Sequence, residues 1–170
     1  MAYLVKKDTS QCDRIPAMVL DALDRKILAA LQENGRMPLS AIAERAGVAP
    51  ATVHERLAKL RAAGVVRGFE VNVDPHALGY TVTALVQVRV DLAAGLDKTV
   101  NELAAIPEVE EVHLITGEYD LVVKVRARDT VHLQELLLTR LHKVPGFVRS
   151  ATEVCLTSPL ERHGPLVKPD

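Results

Sequence analysis

The chain has 170 residues, 48% of them hydrophobic and 25% charged, which is the balance of a globular protein with one domain or two small ones. It has no Trp and only 3% aromatic residues, so its core must be built from Val, Leu, Ile and Ala. The net charge of -1 is unevenly distributed. Residues 45–67 hold five basic residues and one acidic residue, a net charge of +4, whereas residues 74–157 hold eight basic and twelve acidic residues, a net charge of -4. A basic region beside an acidic half indicates two tasks in one chain.

The cysteine spacing and the lengths of the apolar runs disfavour several classes of protein. Cys12 and Cys155 lie far apart and match no metal-ligand spacing, which favours a reducing cytosol over a disulfide framework. No apolar run approaches about 18 residues, so no membrane span is expected, and the first residues lack the apolar stretch of a signal peptide. We therefore expect a cytoplasmic protein without membrane partner, metal or cofactor.

Two helices are predicted after a polar, irregular segment of residues 1–19, which we expect to be a flexible N-terminal arm. Leu and Ile residues recur at helical spacing over residues 20–35. A second helix is predicted over residues 40–47, with Ser40 as its N-cap and Gly47 as its stop.

A third helix is predicted from Pro50 to about Ala63. Its apolar stripe consists of Val53, Leu57 and Leu60. Two short helices joined around a glycine are typical of a helix-turn-helix, in which the second helix lies in the DNA major groove. Ala43 is small where the helices would cross, and Pro50 occupies the first-turn position where proline is tolerated.

The outward face of the third helix carries the candidate DNA contacts. They are Ala51, Thr52, His54, Glu55, Arg56, Lys59 and Arg61. Small and hydroxyl side chains near the start of such a helix can approach base edges, and Lys or Arg further along can reach phosphates. The alternative is a helical hairpin with a solvated charged face, in which Arg56 would pair with Glu33 or Glu44.

The second half follows a different pattern, after an extended linker at residues 67–78 and before an irregular tail at residues 158–170. Strands are predicted at 81–90, 109–116, 120–127 and 147–157, and helices at 96–106 and 129–144. Asp97 and Asp129 are the expected helix caps. The β-α-β-β-α-β order predicts a ferredoxin-like split sandwich, and the whole chain is of the α+β class.

The first strand of this half alternates with period two. Its apolar face carries Val82, Ala84, Val86, Val88 and Val90, and its opposite face carries Thr81, Thr83, Leu85 and Gln87. The two predicted helices cover one face of the sheet only. We therefore expect the mixed face to be buried by another subunit.

Taken together, these motifs resemble the Lrp/AsnC feast/famine regulators. The resemblance runs from LDALDRK at 20–26 to HALGY at 76–80, and it continues through the hairpin VHLITGEYDLVVKV at 112–125 and the VPGF step at 144–147. It implies a winged helix-turn-helix domain at residues 20–66 and a ferredoxin-like ligand-binding and oligomerisation domain at residues 79–157. Ala49 departs from the Ser or Thr of many members, a change that removes a cap worth about 1 kcal/mol.

The resemblance also implies a function. The protein would be a regulator of transcription that binds double-stranded DNA and forms dimers, tetramers or octamers. An amino acid or related molecule would bind between subunits and shift assembly and DNA affinity. The implied effector-binding residues are Thr116, Gly117, Glu118, Tyr119, Asp120 and Val154. The alternative for the hairpin is turn chemistry, in which glycine supplies a positive φ and Asp120 makes a local backbone hydrogen bond.

Two other functions stay open. Sirohaem decarboxylases resemble these regulators in both domains, but this chain has TGEYD at the hairpin and keeps a basic third helix, so we expect no catalysis. An amino-acid-binding oligomeric module without DNA function is disfavoured by the +4 charge of residues 45–67.

Overall fold

The computed structural model describes residues 18–162 and 164–168, which fall into two compact units. Residues 72–159 form one unit, and residues 18–71 with the described residues after 159 form the other. The elements are α1 (Ala22–Glu33), α2 (Leu39–Ala46), α3 (Pro50–Ala62), β1 (Val82–Val90), α4 (Leu96–Ala104), β2 (Val109–Leu114), β3 (Leu121–Ala127), α5 (Thr130–Thr139) and β4 (Phe147–Cys155). Most of the predicted N-terminal arm, residues 1–17, lies outside the described residues.

The first three helices pack around a small aliphatic core. Its buried members are Ile27, Leu28, Ala30, Ile42, Ala43, Val53 and Leu60. Ala43 is 1% exposed, as expected for a residue at a helix crossing. Gly47 ends α2 with φ +71°, and Pro50 begins α3 after Ala49, which makes no side-chain cap bond. The predicted helix-turn-helix arrangement is confirmed.

The predicted cap of α2 is wrong. The helix begins at Leu39, so Ser40 already lies inside its first turn. Pro38 occupies the N-cap position, and its carbonyl accepts the backbone N–H of Ile42 at 3.1 Å. Proline donates no backbone hydrogen bond, so it can precede a helix without leaving a donor unpaired.

An ion-pair network joins the start of α1 to α3. Arg56 Nη1 lies 2.6 Å from Asp21 Oδ2 and 3.4 Å from Asp24 Oδ1. Asp21 and Asp24 also form a capping box, in which each carboxylate accepts the other residue's backbone N–H, at 2.8 and 3.2 Å. Asp24 is only 1% exposed, so its charge is compensated inside the protein rather than by water. The network therefore fixes α3 relative to the N-terminus of α1.

The pKa values of the network follow from these contacts. The hydrogen bond from the Asp24 backbone N–H is the main reason that the pKa of Asp21 is lowered, and the Arg56 guanidinium adds to it. In return, the hydrogen bond and the charge of Asp21 raise the pKa of Arg56. Because the folded state lowers the pKa of Asp21, this carboxylate stabilises the fold above its ordinary pKa, and the contribution is lost as the pH falls through the lowered value.

The second unit is a four-stranded antiparallel sheet in the order β2-β3-β1-β4, with α4 and α5 packed on one face. This arrangement confirms the predicted β-α-β-β-α-β sandwich. Even-numbered residues of β1 and odd-numbered residues of β3 enter the core with Leu103, Leu133 and Leu136 from the helices. The opposite face of β1 carries Thr83, Leu85 and Gln87, each only partly buried.

One predicted helix cap and one predicted helix end of this unit are wrong. Gly95 precedes α4, so Asp97 lies in the first turn and is not the cap. Asp129 does cap α5, since its side chain accepts the backbone N–H of His132 at 2.7 Å. The helix predicted to continue to residue 144 ends at Thr139, and a short 3₁₀ turn, Leu141–Lys143, follows.

The Pro-Gly step before β4 anchors the end of β1. Gly146 has φ +76°, and a Cβ there would lie 2.8 Å from the carbonyl oxygen of Asp91. The Asp91 backbone N–H donates to the Gly146 carbonyl at 2.7 Å, and the fully buried Thr99 hydroxyl donates to the Pro145 carbonyl at 2.7 Å. Only glycine permits this close approach.

We predict that Asp24→Ala lowers the free energy of unfolding by about 2 kcal/mol, because it removes a buried charge-assisted hydrogen bond and one half of the capping box. Urea unfolding followed by far-UV circular dichroism measures the change.

The matched control is Glu33→Ala, which removes the exposed ion pair between Glu33 and Arg45 (2.9 Å) from the other end of α1. That pair should contribute less than about 1 kcal/mol. Equal losses in the two variants would contradict a special role for Asp24.

Candidate functional site

The outward face of α3 is accessible. Ala51, His54, Glu55, Lys59 and Arg61 are exposed, whereas Thr52 and Arg56 are partly buried. The inward stripe of Val53, Leu57 and Leu60 is buried as predicted. The structure thus brings the predicted DNA-contact residues onto one solvent-facing side of the helix, with Arg56 at its edge.

Arg56, Lys59 and Arg61 of α3 each contact another side chain of the same chain, and these interactions differ in strength. Lys59 Nζ lies 3.0 Å from Glu55 Oε1, in an exposed pair of the kind that contributes about 0.3–0.5 kcal/mol. The Lys59 hydrogen bond is also the main cause of the lowered pKa of Glu55. The guanidinium of Arg61 lies 5.3 Å from the centre of the Phe69 ring. These contacts are weak enough to be exchanged for a phosphate.

Arg56 differs from its two neighbours. It contacts two carboxylates, one of them on the nearly buried Asp24, and its own side chain is 35% exposed. Arg56 therefore forms an intramolecular ion pair, as the alternative interpretation of this helix predicted. The predicted partners, Glu33 and Glu44, are wrong. Glu33 pairs with Arg45 instead, and the partners of Arg56 are the two aspartates that begin α1. Sequence reasoning missed them because it treated Asp21 and Asp24 only as part of a helix pattern.

The second group of predicted site residues forms the hairpin between β2 and β3. Gly117 has φ +129°, which only glycine adopts readily. Thr116, Gly117 and Glu118 are exposed, and Tyr119 and Asp120 are partly buried. The carboxylate of Asp120 accepts the backbone N–H of Val90 at 2.9 Å. The local backbone bond of the turn-chemistry alternative is not what this carboxylate makes, since it bonds to β1, thirty residues away in sequence.

Two arginines that sequence reasoning missed bracket this hairpin. Arg89 donates from Nη1 to the Glu118 carbonyl at 2.9 Å, and its Nε lies 3.5 Å from Asp120 Oδ2. Arg149 donates to Glu118 Oε1 at 2.7 Å, and its guanidinium lies 5.0 Å from the centre of the Tyr119 ring. Arg89 and Arg149 are paired across β1 and β4, on the sheet face that α4 and α5 leave open.

The charges at the hairpin balance. Two guanidinium groups face two carboxylates, and the hydrogen bond to Glu118 is the main cause that raises the pKa of Arg149. The side chains of Arg149 and Glu118 are 52% and 69% exposed, so their ion pair is open to solvent and to a competing ligand. A zwitterion fits such a site, because guanidinium groups bind carboxylates and carboxylates bind ammonium groups.

Val154 does not join this site within the chain. It pairs with Ala84 near one end of β1, whereas the hairpin contacts Val88 and Val90 at the other end. Its odd-numbered neighbours on β4 share the open face with Arg149, but Val154 itself points to the opposite side. Within a single chain, Val154 is therefore not part of the hairpin site.

Among residues 18–162 and 164–168, no group of three or more His, Cys, Asp or Glu side chains could hold a metal ion. None of the helices described is long and apolar enough to cross a membrane.

Comparison with known proteins identifies both domains. Residues 20–61 match the family model of the AsnC-type helix-turn-helix domain, and residues 83–165 match that of the Lrp/AsnC ligand binding domain. The HTH-type transcriptional regulator FL11 of Pyrococcus horikoshii is 38% identical over 143 residues, which are 84% of this chain and 91% of FL11.

Solved structures give the same result. The structure of Escherichia coli AsnC superposes with a TM-score of 0.80 at 31% identity, covering 85% of this chain and 97% of that one. The transcriptional regulator NMB0573 of Neisseria meningitidis, solved in complex with L-Met, superposes with a TM-score of 0.78 at 26% identity, covering 84% of this chain and 93% of that one. The two matched domains, the identities and the shared fold lead to one conclusion: this chain belongs to the Lrp/AsnC family of transcriptional regulators.

Proposed function

We propose that this protein regulates transcription by binding DNA through the exposed face of α3, and that an amino acid or related small molecule bound at the hairpin of residues 116–120 sets its DNA affinity. The observation that carries the proposal is the combination of two features in one chain. An AsnC-type helix-turn-helix exposes a polar helix face, and an Lrp/AsnC ligand binding domain holds a solvent-open hairpin between two arginines.

The proposed roles on α3 follow from exposure and pairing. Ala51, Thr52, His54 and Glu55 lie on the first half of the helix and would face base edges. Lys59 and Arg61 would exchange their weak intrachain contacts for phosphate oxygens. Arg56 would act by positioning α3, because its guanidinium is already held by Asp21 and Asp24.

The proposed effector site uses the open pair of Arg149 and Glu118. A ligand carboxylate would compete with Glu118 for the Arg149 guanidinium, and a ligand ammonium group would bind the Glu118 carboxylate. Asp120 and Arg89 would hold the hairpin in place through their bonds to Val90 and to the Glu118 carbonyl. L-Met, which is bound in the NMB0573 structure, is the first ligand to test.

Assembly into a homo-oligomer is part of the proposal, and the open face of the sheet is the surface that supports it. Leu85, Val122 and Ala151 lie on this face and are each partly buried. Polar groups there already have partners across the strands, such as Gln87 with Glu153 at 3.1 Å and Lys124 with Glu110 at 3.2 Å. Such a face can be covered by a second copy while these polar groups keep their hydrogen-bond partners.

Replacing Lys59 tests the DNA-binding face. We expect Lys59→Gln to weaken binding of a mixed-sequence DNA duplex, and to lower the slope of log affinity against log salt concentration by about 1, since one phosphate contact is lost. The free energy of unfolding should stay the same, because Lys59 loses only an exposed pair. Fluorescence anisotropy at several salt concentrations measures both the affinity and the slope.

The charge-matched control for Lys59 is Lys98→Gln, on an exposed position of α4 in the other unit. It should leave the DNA affinity and the salt slope unchanged. If the two variants behave alike, α3 is not the DNA-binding surface and the proposed function loses its first half.

Replacing Arg149 tests the effector site. We expect Arg149→Gln to weaken amino-acid binding about 10- to 100-fold, the loss that accompanies removal of one charge-assisted hydrogen bond. Isothermal titration calorimetry with single amino acids, beginning with L-Met, measures the affinity.

Arg140→Gln is the matched control, since Arg140 is exposed at the end of α5 and is not part of the hairpin site. It should bind the same amino acid as tightly as the wild type does. Unchanged affinity in Arg149→Gln would exclude the proposed carboxylate contact.

A further inference from the structure

The described residues after 159 belong to the helical unit, although β4, which precedes them in the sequence, belongs to the sheet unit. Sequence reasoning treated this tail only as irregular. The described part of it has no helix or strand, yet it makes specific contacts with α1.

Gln32 on α1 makes two of these contacts through one side chain. Its Nε2 donates to the Pro165 carbonyl at 2.8 Å, and its Oε1 accepts the Val167 backbone N–H at 2.8 Å. A side-chain amide has one acceptor and one donor group, so here it pairs with the tail as a neighbouring peptide group would in a β-ladder. Both hydrogen bonds go to backbone groups, and they fix the position of residues 165–167 on α1.

Apolar packing favours the same position. Val167 is partly buried and packs against the aliphatic core of the helical unit, whereas its neighbour Leu166 is 64% exposed. Pro165 and Lys168 are exposed as well, so Val167 is the residue of this segment that packs on the helical unit. Pro165 restricts the backbone directly before the contact, which lowers the entropy lost when the segment docks.

From these contacts we infer that α1 carries a docking site for the chain's own C-terminal segment, residues 165–167. Gln32 binds the backbone of this segment, and Val167 packs against the aliphatic core. These contacts all lie within the helical unit, so residues 165–167 contribute to the stability of that unit.

Hydrogen exchange of the full-length chain tests the docking site without requiring DNA or effector, so it is independent of the proposed function. We expect Val167→Asp to speed exchange of the α1 backbone amides about tenfold, and to remove protection of the residue 167 amide. Exchange in β1 should not change. Gln32→Ala should give the same pattern with a smaller increase in α1.

Leu166→Asp is the matched control, because it places the same charge one residue away on the exposed side. It should exchange like the wild type. Equal rates in α1 for the wild type and Val167→Asp would overturn the docking site, and so would equal acceleration by Val167→Asp and Leu166→Asp. If wild-type protection of the residue 167 amide falls on dilution, the segment of a second copy occupies the site, which overturns the intrachain assignment.

Discussion

The sheet unit depends on a single constraint, which is that two helices cover only one face of four strands. Alternate residues of β1 and β3 must therefore be apolar and small enough to pack under α4 and α5, as Ala84, Val86 and Val88 do. The residues between them are released from the core. That freedom lets Arg89 and Arg149 lie side by side on the open face and reach the hairpin that follows β2.

In the helical unit, α3 also has a buried side and an exposed side. One stripe of the helix is buried, one edge is fixed by the Arg56 network, and the remaining face is exposed. Arginine therefore has two different roles on this one helix, at Arg56 and at Arg61. Arg56 contacts a buried carboxylate and stabilises the helix packing, whereas Arg61, among the described residues, contacts an aromatic ring and keeps its charge available. Burial of the partner decides between the two roles.

The order of helices and strands and several of their boundaries could be predicted from the sequence, because they depend on local residue preferences. Helix-period and strand-period patterns gave the element order, and the residue types at Gly47, Pro50 and Asp129 gave three of the boundaries. The cap of α2 was predicted at Ser40 because serine is a common cap, but Pro38 determines where that helix begins. Local preference was overridden there by the residue that cannot donate a hydrogen bond.

The side-chain partners could not be predicted, because they depend on register and on distant segments. Arg89 and Arg149 are cross-strand neighbours because of the register of β1 and β4. The hydrogen bond from the Val90 N–H to Asp120 requires the hairpin to fold back onto β1. The docking of residues 165–167 on α1 joins positions more than 130 residues apart, at separations of 133 and 135. No periodicity in the sequence records such contacts. For the hairpin site, the one signal in the sequence was Arg149, a basic residue at an outward position of the last predicted strand.

The central claim is that one chain couples an amino-acid signal to DNA binding. The most direct measurement is fluorescence anisotropy with labelled DNA from upstream of this protein's own gene, at two salt concentrations, with and without a mixture of amino acids. Coupling predicts salt-sensitive binding whose affinity shifts when the mixture is added. Salt-sensitive binding with the same affinity in the presence and absence of the mixture would contradict the coupling, because a ligand that leaves DNA affinity unchanged has no coupling free energy with the DNA site.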